Sequence, residues 1–351
     1  MMIRAALRDL QARRRRYAVA IAGAGLVLAL SMVMSGLTAS FGNEARRTVD
    51  LLGADEYVLA AGAAGPFTTT SALTDDDLAA VRALDGVEEA APLLVSRQVA
   101  RPAPEDEPIF TIVLGVERGA LGTPVPRSGR GMVTSGEAVI DSRLDVEIGD
   151  DIDVGGRPFR VVGTVHSSLF AATPSIYVSI SDVRELSLDD APLSSAILVR
   201  GHTTALPSGL QSISPAEATD DALAPLRSAE RTIALVRTLL WIVAVLILGS
   251  VLYLSALERT RDMAVFKATG ASGASLAVGL AVQAAVVAGA SAAVAAIAAV
   301  VLAPRFPMPV EISSLTYLLL PAVALAVALV GAIGGMRRAV AVPPALAFGA
   351  P

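Results

Sequence analysis

Four long apolar segments constrain this chain most strongly, because none of them contains a charged residue. An α-helix rises about 1.5 Å per residue, so about 20 apolar residues cross the ~30 Å hydrocarbon core of a bilayer. The four segments are residues 17–37, 238–256, 274–303 and 315–335, and Gln283 is the most polar side chain within them. We therefore predict a membrane protein with four transmembrane α-helices, one before and three after a large intervening region.

Charge divides the chain into two parts. Residues 41–230 carry 29 acidic and 14 basic residues, whereas the rest of the chain carries 4 acidic and 14 basic residues. This asymmetry predicts an acidic soluble domain on a basic membrane-embedded frame, and an acidic soluble face argues against nucleic-acid binding. The chain has no cysteine, and His166 and His202 have no partners at metal-ligand spacing. We predict no metal site and find no catalytic constellation.

Basic residues predict the orientation, because cytoplasmic loops carry an excess of Lys and Arg. Residues 1–16 contain six arginines, 257–273 contain three basic residues, and two arginines follow the last apolar segment. Both termini are therefore predicted to be cytoplasmic. The predicted parts are a cytoplasmic amphipathic helix 1–16, a first span 17–37, an extracytoplasmic domain 38–232, a second span 233–256, a cytoplasmic coupling segment 257–273, a third span 274–303, an external loop 304–314, a fourth span 315–335 and a cytoplasmic tail 336–351.

Two alternatives remain open at the N-terminus. Residues 17–37 follow basic residues, as the apolar part of a signal peptide does, although they are long for that purpose and no good cleavage site follows. We predict a retained anchor. Residues 1–16 place Ile3, Leu7 and Leu10 at helical spacing, which favours an amphipathic helix on the inner leaflet, with a disordered basic anchor as the alternative.

The intervening region is predicted to be an α+β domain with a β-rich subdomain. Thr74 precedes three aspartates and is a predicted helix N-cap, because hydroxyl and carboxylate groups favour the positive end of a helix. Gly155 and Gly156 separate two alternating runs and predict a hairpin turn. Ser181 is predicted to open a further short helix. The predicted strands are residues 109–116, 138–140, 151–154, 158–165 and 175–180.

Small residues in the last two spans predict close helix packing. Gly331 and Gly335 form a GxxxG pair, and Ala288, Ala292 and Ala296 share one face of a helix. Small residues allow helix backbones to approach in lipid. The abundance of alanine in the chain is the alternative explanation for the alanine face.

The segment 258–272, ERTRDMAVFKATGAS, is charged, helix-compatible and flanked by two apolar spans, and it contains the only lysine of the chain. We call it the connector. It is too short for a domain, so we predict a small helix beside the membrane that another protein moves. It resembles the connector of the FtsX-like/MacB-like ABC transporter permease family, E-R-x-R-E-I-A-V-L-K-A-L-G-A-S, between the second and third of four spans. The matching positions are Glu258, Arg259, Arg261, Ala264, Val265, Lys267, Ala268, Gly270, Ala271 and Ser272, and Asp262 stands where the family often has Glu.

The resemblance extends over nearly the whole chain through the one-plus-three order of spans and weaker matches near residues 52–55, 87–92 and 337–346. It implies a permease subunit that is not an enzyme. Family members dimerise and bind two copies of a cytoplasmic ATPase, so ATP and Mg²⁺ would be bound by the partner and this chain would hold no cofactor. The absence of a G-x-x-x-x-G-K-[ST] phosphate loop from the sequence agrees with this expectation.

The resemblance also assigns roles to connector residues. Charge and position suggest that they anchor the connector at the membrane interface and contact the ATPase, while Gly270 ends the connector helix. The predicted coupling residues are Glu258, Arg259, Arg261, Asp262, Lys267, Gly270 and Ser272.

Two outputs of such a permease remain open. One is export or extraction of a hydrophobic or amphiphilic, lipid-like substrate, and the other is force transmission to an extracytoplasmic protein such as a cell-wall hydrolase. A membrane sensor without transport is a third alternative, although it would not need the connector. A secondary transporter is disfavoured because such proteins place ionisable groups near the bilayer midplane, and an anchored enzyme is disfavoured for lack of catalytic residues.

Overall fold

The computed structural model describes residues 11–69, 71–102, 107–169, 173–258, 260, 264–265, 268–270, 272–306 and 310–341, with only the backbone described at 168, 169, 335, 336 and 338–341. The chain divides into two compact units. We call residues 1–40 with 229–351 the membrane unit, and residues 41–228 the sheet unit. Most of the predicted N-terminal amphipathic helix lies outside the described residues.

The helices confirm the predicted fold class. Among the described residues, α1, α5, α6 and α7 are long and apolar enough to cross a membrane, one before the sheet and three after it. Both α1 and α5 extend beyond their apolar segments. The helices are α1 (Arg14–Leu52), α2 (Asp75–Arg82), α3 (Ile180–Leu188), α4 (Pro215–Leu223), α5 (Arg227–Glu258), α6 (Gly273–Leu302) and α7 (Ser314–Ala341).

The core of the membrane unit is built largely from small residues. α6 packs against α7, and a single apolar cluster contains residues from all four long helices. Of the predicted alanine face, Ala288 and Ala292 are buried and Ala296 is half-buried. The other side of α6 is exposed and equally apolar, as expected for a helix that faces lipid. The buried alanines of α6 are Ala284, Ala288, Ala292, Ala295 and Ala299.

Gly331 lies directly against Gly249 of α5. A Cβ added to Gly331 would lie 2.8 Å from the backbone nitrogen of Gly249 and from the carbonyl oxygen of Val245. Both neighbours are backbone atoms, so they cannot move aside as the end of a flexible side chain can. The GxxxG spacing of Gly331 and Gly335 is thus compatible with the close approach of helices α5 and α7. The side-chain surroundings of Gly335 lie outside the described part of the chain.

We expect Gly331→Ala to destabilise the membrane unit, because the added methyl overpacks two backbones, at a cost of about 1–3 kcal/mol. Gly289→Ala is the matched control, since Gly289 lies within α6 and a Cβ there would meet nothing within 4 Å. Thermal unfolding of the full chain in one detergent should show a lower midpoint for Gly331→Ala alone. Equal midpoints for the two variants would contradict the close approach.

The sheet unit contains an eleven-stranded mixed sheet and a two-stranded one. Along the main sheet the order is β13-β1-β12-β3-β4-β10-β6-β8-β5, and β9 pairs with β10. The sheet is much larger than the small β-rich part that the sequence indicated. The strands are β1 (Glu56–Ala60), β2 (Leu73–Thr74), β3 (Val87–Pro102), β4 (Ile109–Val116), β5 (Ser128–Gly129), β6 (Glu137–Asp141), β7 (Asp151–Val154), β8 (Arg157–Val165), β9 (Ser168–Leu169), β10 (Thr173–Ser179), β11 (Leu193–Ser194), β12 (Ala196–Gly201) and β13 (Leu210–Ile213).

Six strands of this sheet close into a ring, because β7 pairs with both β8 and β3. The ring runs β3-β4-β10-β6-β8-β7 and returns to β3. Closure leaves no free edge within the ring, which protects the strands from pairing with other chains. Val113, Ile140, Phe159 and Ile176 are fully buried in one apolar cluster with the α3 residue Val183. The predicted β-rich subdomain is this ring.

Local signals in the sheet unit are confirmed. Thr74 caps α2: its hydroxyl accepts from the Asp77 backbone N–H, and the Asp77 carboxylate accepts from the Thr74 N–H in return. β7 and β8 form the predicted hairpin. Gly155 and Gly156 have φ of 63° and 86°, a conformation that favours glycine and that a two-residue hairpin turn requires. The predicted strand 175–180 ends one residue too late, because Ile180 begins α3, and it begins two residues after the observed start at Thr173.

Candidate coupling site

Glu258 joins the end of α5 to the start of α1. Arg16 Nη1 donates to both carboxylate oxygens of Glu258, at 2.9 and 3.0 Å, and Arg13 forms a second ion pair with the same carboxylate. Arg16 Nη2 also donates to the Val251 carbonyl oxygen at 3.3 Å. The side chains of Arg16 and Glu258 are 27% and 44% exposed, so water screens this ion pair and its contribution to stability is small.

About one helical turn before Glu258 in α5, a buried polar cluster links three helices. The Tyr17 hydroxyl of α1 donates to Ser255 Oγ of α5 at 2.8 Å, and the side-chain amide of Gln283 of α6 donates to the Tyr17 oxygen. All three side chains are buried. Interhelical hydrogen bonds in membranes contribute about 0.6 kcal/mol on average. The sequence indicated Gln283 as the most polar residue of the spans, and its partners emerge only from the fold.

The connector itself is described in part. Gly270 has φ of 97°, in the left-handed region where helices commonly end. Ser272 begins α6 as an N-cap, its hydroxyl accepting from the Ser275 N–H at 3.2 Å. The roles of Gly270 and Ser272 towards an ATPase stay predictions. The remaining predicted coupling residues, Arg259, Arg261, Asp262 and Lys267, lie outside the described residues.

A second polar cluster lies within the sheet unit, which includes the last part of α1. Arg143 Nη1 donates to Glu44 Oε1 at 3.1 Å, and Arg143 Nη2 donates to Asp141 Oδ2 at 2.8 Å. Asp141 has no exposed surface, Glu44 is 5% exposed and Arg143 is one-quarter exposed at its side chain. Asp141 Oδ2 also accepts from the Ser167 backbone N–H at 3.0 Å. Two buried carboxylates therefore share one guanidinium.

Hydroxyl groups extend this second cluster. Ser167 Oγ lies 2.9 Å from the Tyr177 hydroxyl and 3.1 Å from Thr48 Oγ1 of α1. The Tyr57 hydroxyl donates to the Val49 carbonyl oxygen of α1 at 3.3 Å. The apolar side chains of Ala45, Val49 and Leu52 pack in the same core as the sheet. Within the sheet unit, the last part of α1 is thus held against its neighbours through both polar and apolar contacts.

Burial and charge set the ionisation of this cluster. Burial lowers the pKa of Arg143, but hydrogen bonds to Asp141 and the charges of Asp141 and Glu44 outweigh it, so the pKa is raised overall. Burial raises the pKa of Tyr177, a hydrogen bond with Ser167 opposes this, and the charge of Asp141 adds to it. Arg143 therefore stays charged, and Tyr177 stays a neutral hydrogen-bonding group at physiological pH.

The sequence interpretation missed this second cluster. Glu44, Asp141 and Arg143 come from distant parts of the chain and share no spacing that a known motif would reveal. The available signal was Glu44, an acidic residue in the stretch that continues the first apolar span as a helix. By itself, one such residue is weak evidence for a buried polar cluster. Among the described residues, no group of three or more His, Asp or Glu side chains could hold a metal ion.

Long apolar helices precede and follow the charged connector in the chain, and a large sheet unit is inserted after the first helix. This arrangement defines a multi-pass membrane protein of the permease type. Residues 18–234 match the model of the MacB-like periplasmic core domain, and residues 234–344 match that of the FtsX-like permease C-terminal domain. The chain belongs to the MacB/FtsX family of ABC transporter permeases.

Relatives of similar length agree with this assignment, and two solved domain structures show a weaker similarity. An uncharacterized ABC transporter permease of Mycobacterium bovis is 42% identical over 351 residues, covering 100% of both chains. A second, from Mycobacterium tuberculosis H37Rv, is 40% identical over the same length. The periplasmic region of MacB from Actinobacillus actinomycetemcomitans is 12% identical, with a TM-score of 0.36 over 49% of this chain and 95% of that one. The extracellular domain of the noncanonic ABC-type transporter YknZ is 14% identical, with a TM-score of 0.34 over 45% and 98%.

Proposed function

We propose that this chain couples ATP hydrolysis by a separate cytoplasmic ATPase to movement of its sheet unit, and that this movement exports or extracts a hydrophobic or amphiphilic substrate. In this proposal both termini and the connector are cytoplasmic, and the sheet unit is outside. Two permease chains, as a homodimer, work with two ATPase copies that bind ATP and Mg²⁺. Membership of the ABC permease family, which implies a partner ATPase, supports the proposal.

The observation that carries the proposal is the double attachment of α1. At its start, Arg16 and Tyr17 hold the end of α5, which leads directly into the connector. At its end, Glu44 and Thr48 are held by buried partners in the sheet unit. Because one continuous helix carries both attachments, displacement of the connector has a path to the sheet unit through α1.

The connector arginines provide the direct test. We expect a double charge reversal, Arg259→Glu with Arg261→Glu, to abolish stimulation of the ATPase that co-purifies with the chain, since the proposed contact would become repulsive. ATPase activity is measured in vesicles containing the full complex, with thermal unfolding of the purified chain as a second readout. The proposal predicts lost stimulation without a lower unfolding midpoint.

Arg305→Glu is the control, because Arg305 follows α6 at the end opposite the connector and is exposed. It changes the charge in the same direction and should leave stimulation intact. Full stimulation by the connector double variant would overturn the assignment of the connector.

A further inference from the structure

The membrane unit contains a partly open cavity between α1, α5 and α7 that the coupling function does not use. Its volume is about 170 Å³. A cavity of about 150 Å³ with an apolar lining can hold a benzene molecule, so this one is large enough for a short stretch of acyl chain. Its apolar lining includes Leu28, Met32, Leu320 and Val323, and its polar groups come from Ser31, Ser35, Thr316 and Trp241.

Arg237 lies beside this cavity and contacts two of its lining residues. Arg237 Nη1 donates to Ser35 Oγ at 3.2 Å, and the guanidinium carbon lies 5.8 Å from the centre of the Trp241 ring. Trp241 Nε1 in turn donates to Ser31 Oγ at 2.9 Å. A guanidinium has five N–H donors, and Ser35 accepts from one of its nitrogens. Within the described residues no carboxylate forms an ion pair with Arg237.

Position along α5 places this arginine near the membrane interface. Arg237 precedes Glu258 in one continuous helix, and the distance between them is about 31 Å at ~1.5 Å per residue. This matches the ~30 Å thickness of the hydrocarbon core. Arg237 therefore lies near the bilayer surface opposite the connector, at the depth where lipid phosphates occur.

We propose that this cavity binds an anionic phospholipid of the bilayer. The phosphate group would accept from Arg237, because guanidinium and phosphate form charge-assisted, often bidentate, hydrogen bonds. Part of one acyl chain would fill the space beside Met32 and Val323. The site is a property of the chain alone, so it goes beyond the proposed ATPase coupling, and the two can fail independently.

Trp241 provides the measurement, because it is the only tryptophan of the chain and it lines the cavity. The full chain is reconstituted in phosphatidylcholine vesicles without ATPase. Phosphatidylglycerol or phosphatidylcholine with brominated acyl chains is then added at equal mole fractions, and quenching of Trp241 fluorescence is recorded. We expect about a tenfold preference for phosphatidylglycerol, which corresponds to about 1.4 kcal/mol, because phosphatidylcholine carries the same phosphate but also a quaternary ammonium that repels Arg237. Soluble glycerol phosphate should not compete, since it lacks the acyl chain.

Two variants decide between a lipid site and ordinary interfacial anchoring of Arg237 and Trp241. Arg237→Gln should abolish the preference, so that the two lipids quench Trp241 about equally. Arg305→Gln removes the same charge away from the cavity and should retain the preference. Val323→Phe should fill the apolar part and weaken quenching by either lipid. Equal quenching by both lipids in the unaltered chain, or a preference that survives Arg237→Gln, would overturn the proposal.

Discussion

Replacing Arg143 by methionine should destabilise the chain by about 3–5 kcal/mol, because it leaves two buried carboxylates without their shared counter-charge. Asp141 is fully buried and Glu44 nearly so, and Arg143 contacts both. Methionine keeps much of the length and apolar volume of the side chain, so the loss reports mainly on charge. In thermal unfolding of the full chain, the expected decrease in midpoint is roughly 6–20 °C for a unit of this size.

Arg160→Met is the matched control for this prediction. Arg160 forms an ion pair with Asp151 at 2.9 Å, but both side chains are more than half exposed. Exposed ion pairs contribute about 0–1 kcal/mol, so its midpoint should change little. Similar decreases for the two variants would mean that the Arg143 cluster is no more desolvated than the surface.

Reversing the charge of Glu258 should uncouple the ATPase at the other attachment of α1. Glu258→Arg faces Arg13 and Arg16 with a like charge and should open the contact between α1 and α5. Coupling between sites commonly amounts to a 5- to 150-fold effect, so we expect at least about a fivefold loss of ATPase stimulation. The unfolding midpoint should move little, because the ion pair is partly exposed.

A charge exchange tests whether the contact itself matters. Adding Arg16→Glu to Glu258→Arg restores opposite charges at the same two positions and should recover much of the lost stimulation. Arg16→Glu alone should also be defective, but less so than Glu258→Arg, because Arg13 can still pair with Glu258. If the double variant is no better than either single variant, Glu258 acts elsewhere, for example by contacting the ATPase directly, and the α1–α5 ion pair is not part of the coupling path.

Short-range signals explain what could be predicted from the sequence. The length and apolarity of four segments predict the four spans. A hydroxyl before three carboxylates predicts the helix cap at Thr74, and two adjacent glycines predict the hairpin. Each of these depends on neighbouring residues alone. Membership of the permease family could be predicted because connector residues stand at recognisable spacing within a single segment.

Long-range partners explain what could not be predicted. Ring closure depends on β7 pairing with β3, which lies some fifty residues earlier in the chain, and no local pattern encodes that pairing. The contact of Arg143 with Glu44 joins residues 99 positions apart. Gly331 was singled out with Gly335 by spacing within one helix, whereas its close neighbour Gly249 lies on another. Spacing identifies a small-residue face but not the helix that it meets.

Purification of the tagged full chain from membranes in a mild detergent, followed by mass spectrometry, tests the central claim most directly. We expect reproducible recovery of a protein with a G-x-x-x-x-G-K-[ST] phosphate-binding motif, because the proposed coupling requires a separate ATPase. The same ATPase should be lost when Arg259 and Arg261 are both reversed in charge, and retained with Arg305→Glu. Intact recovery of the chain with no ATPase across several mild detergents would contradict the proposed coupling.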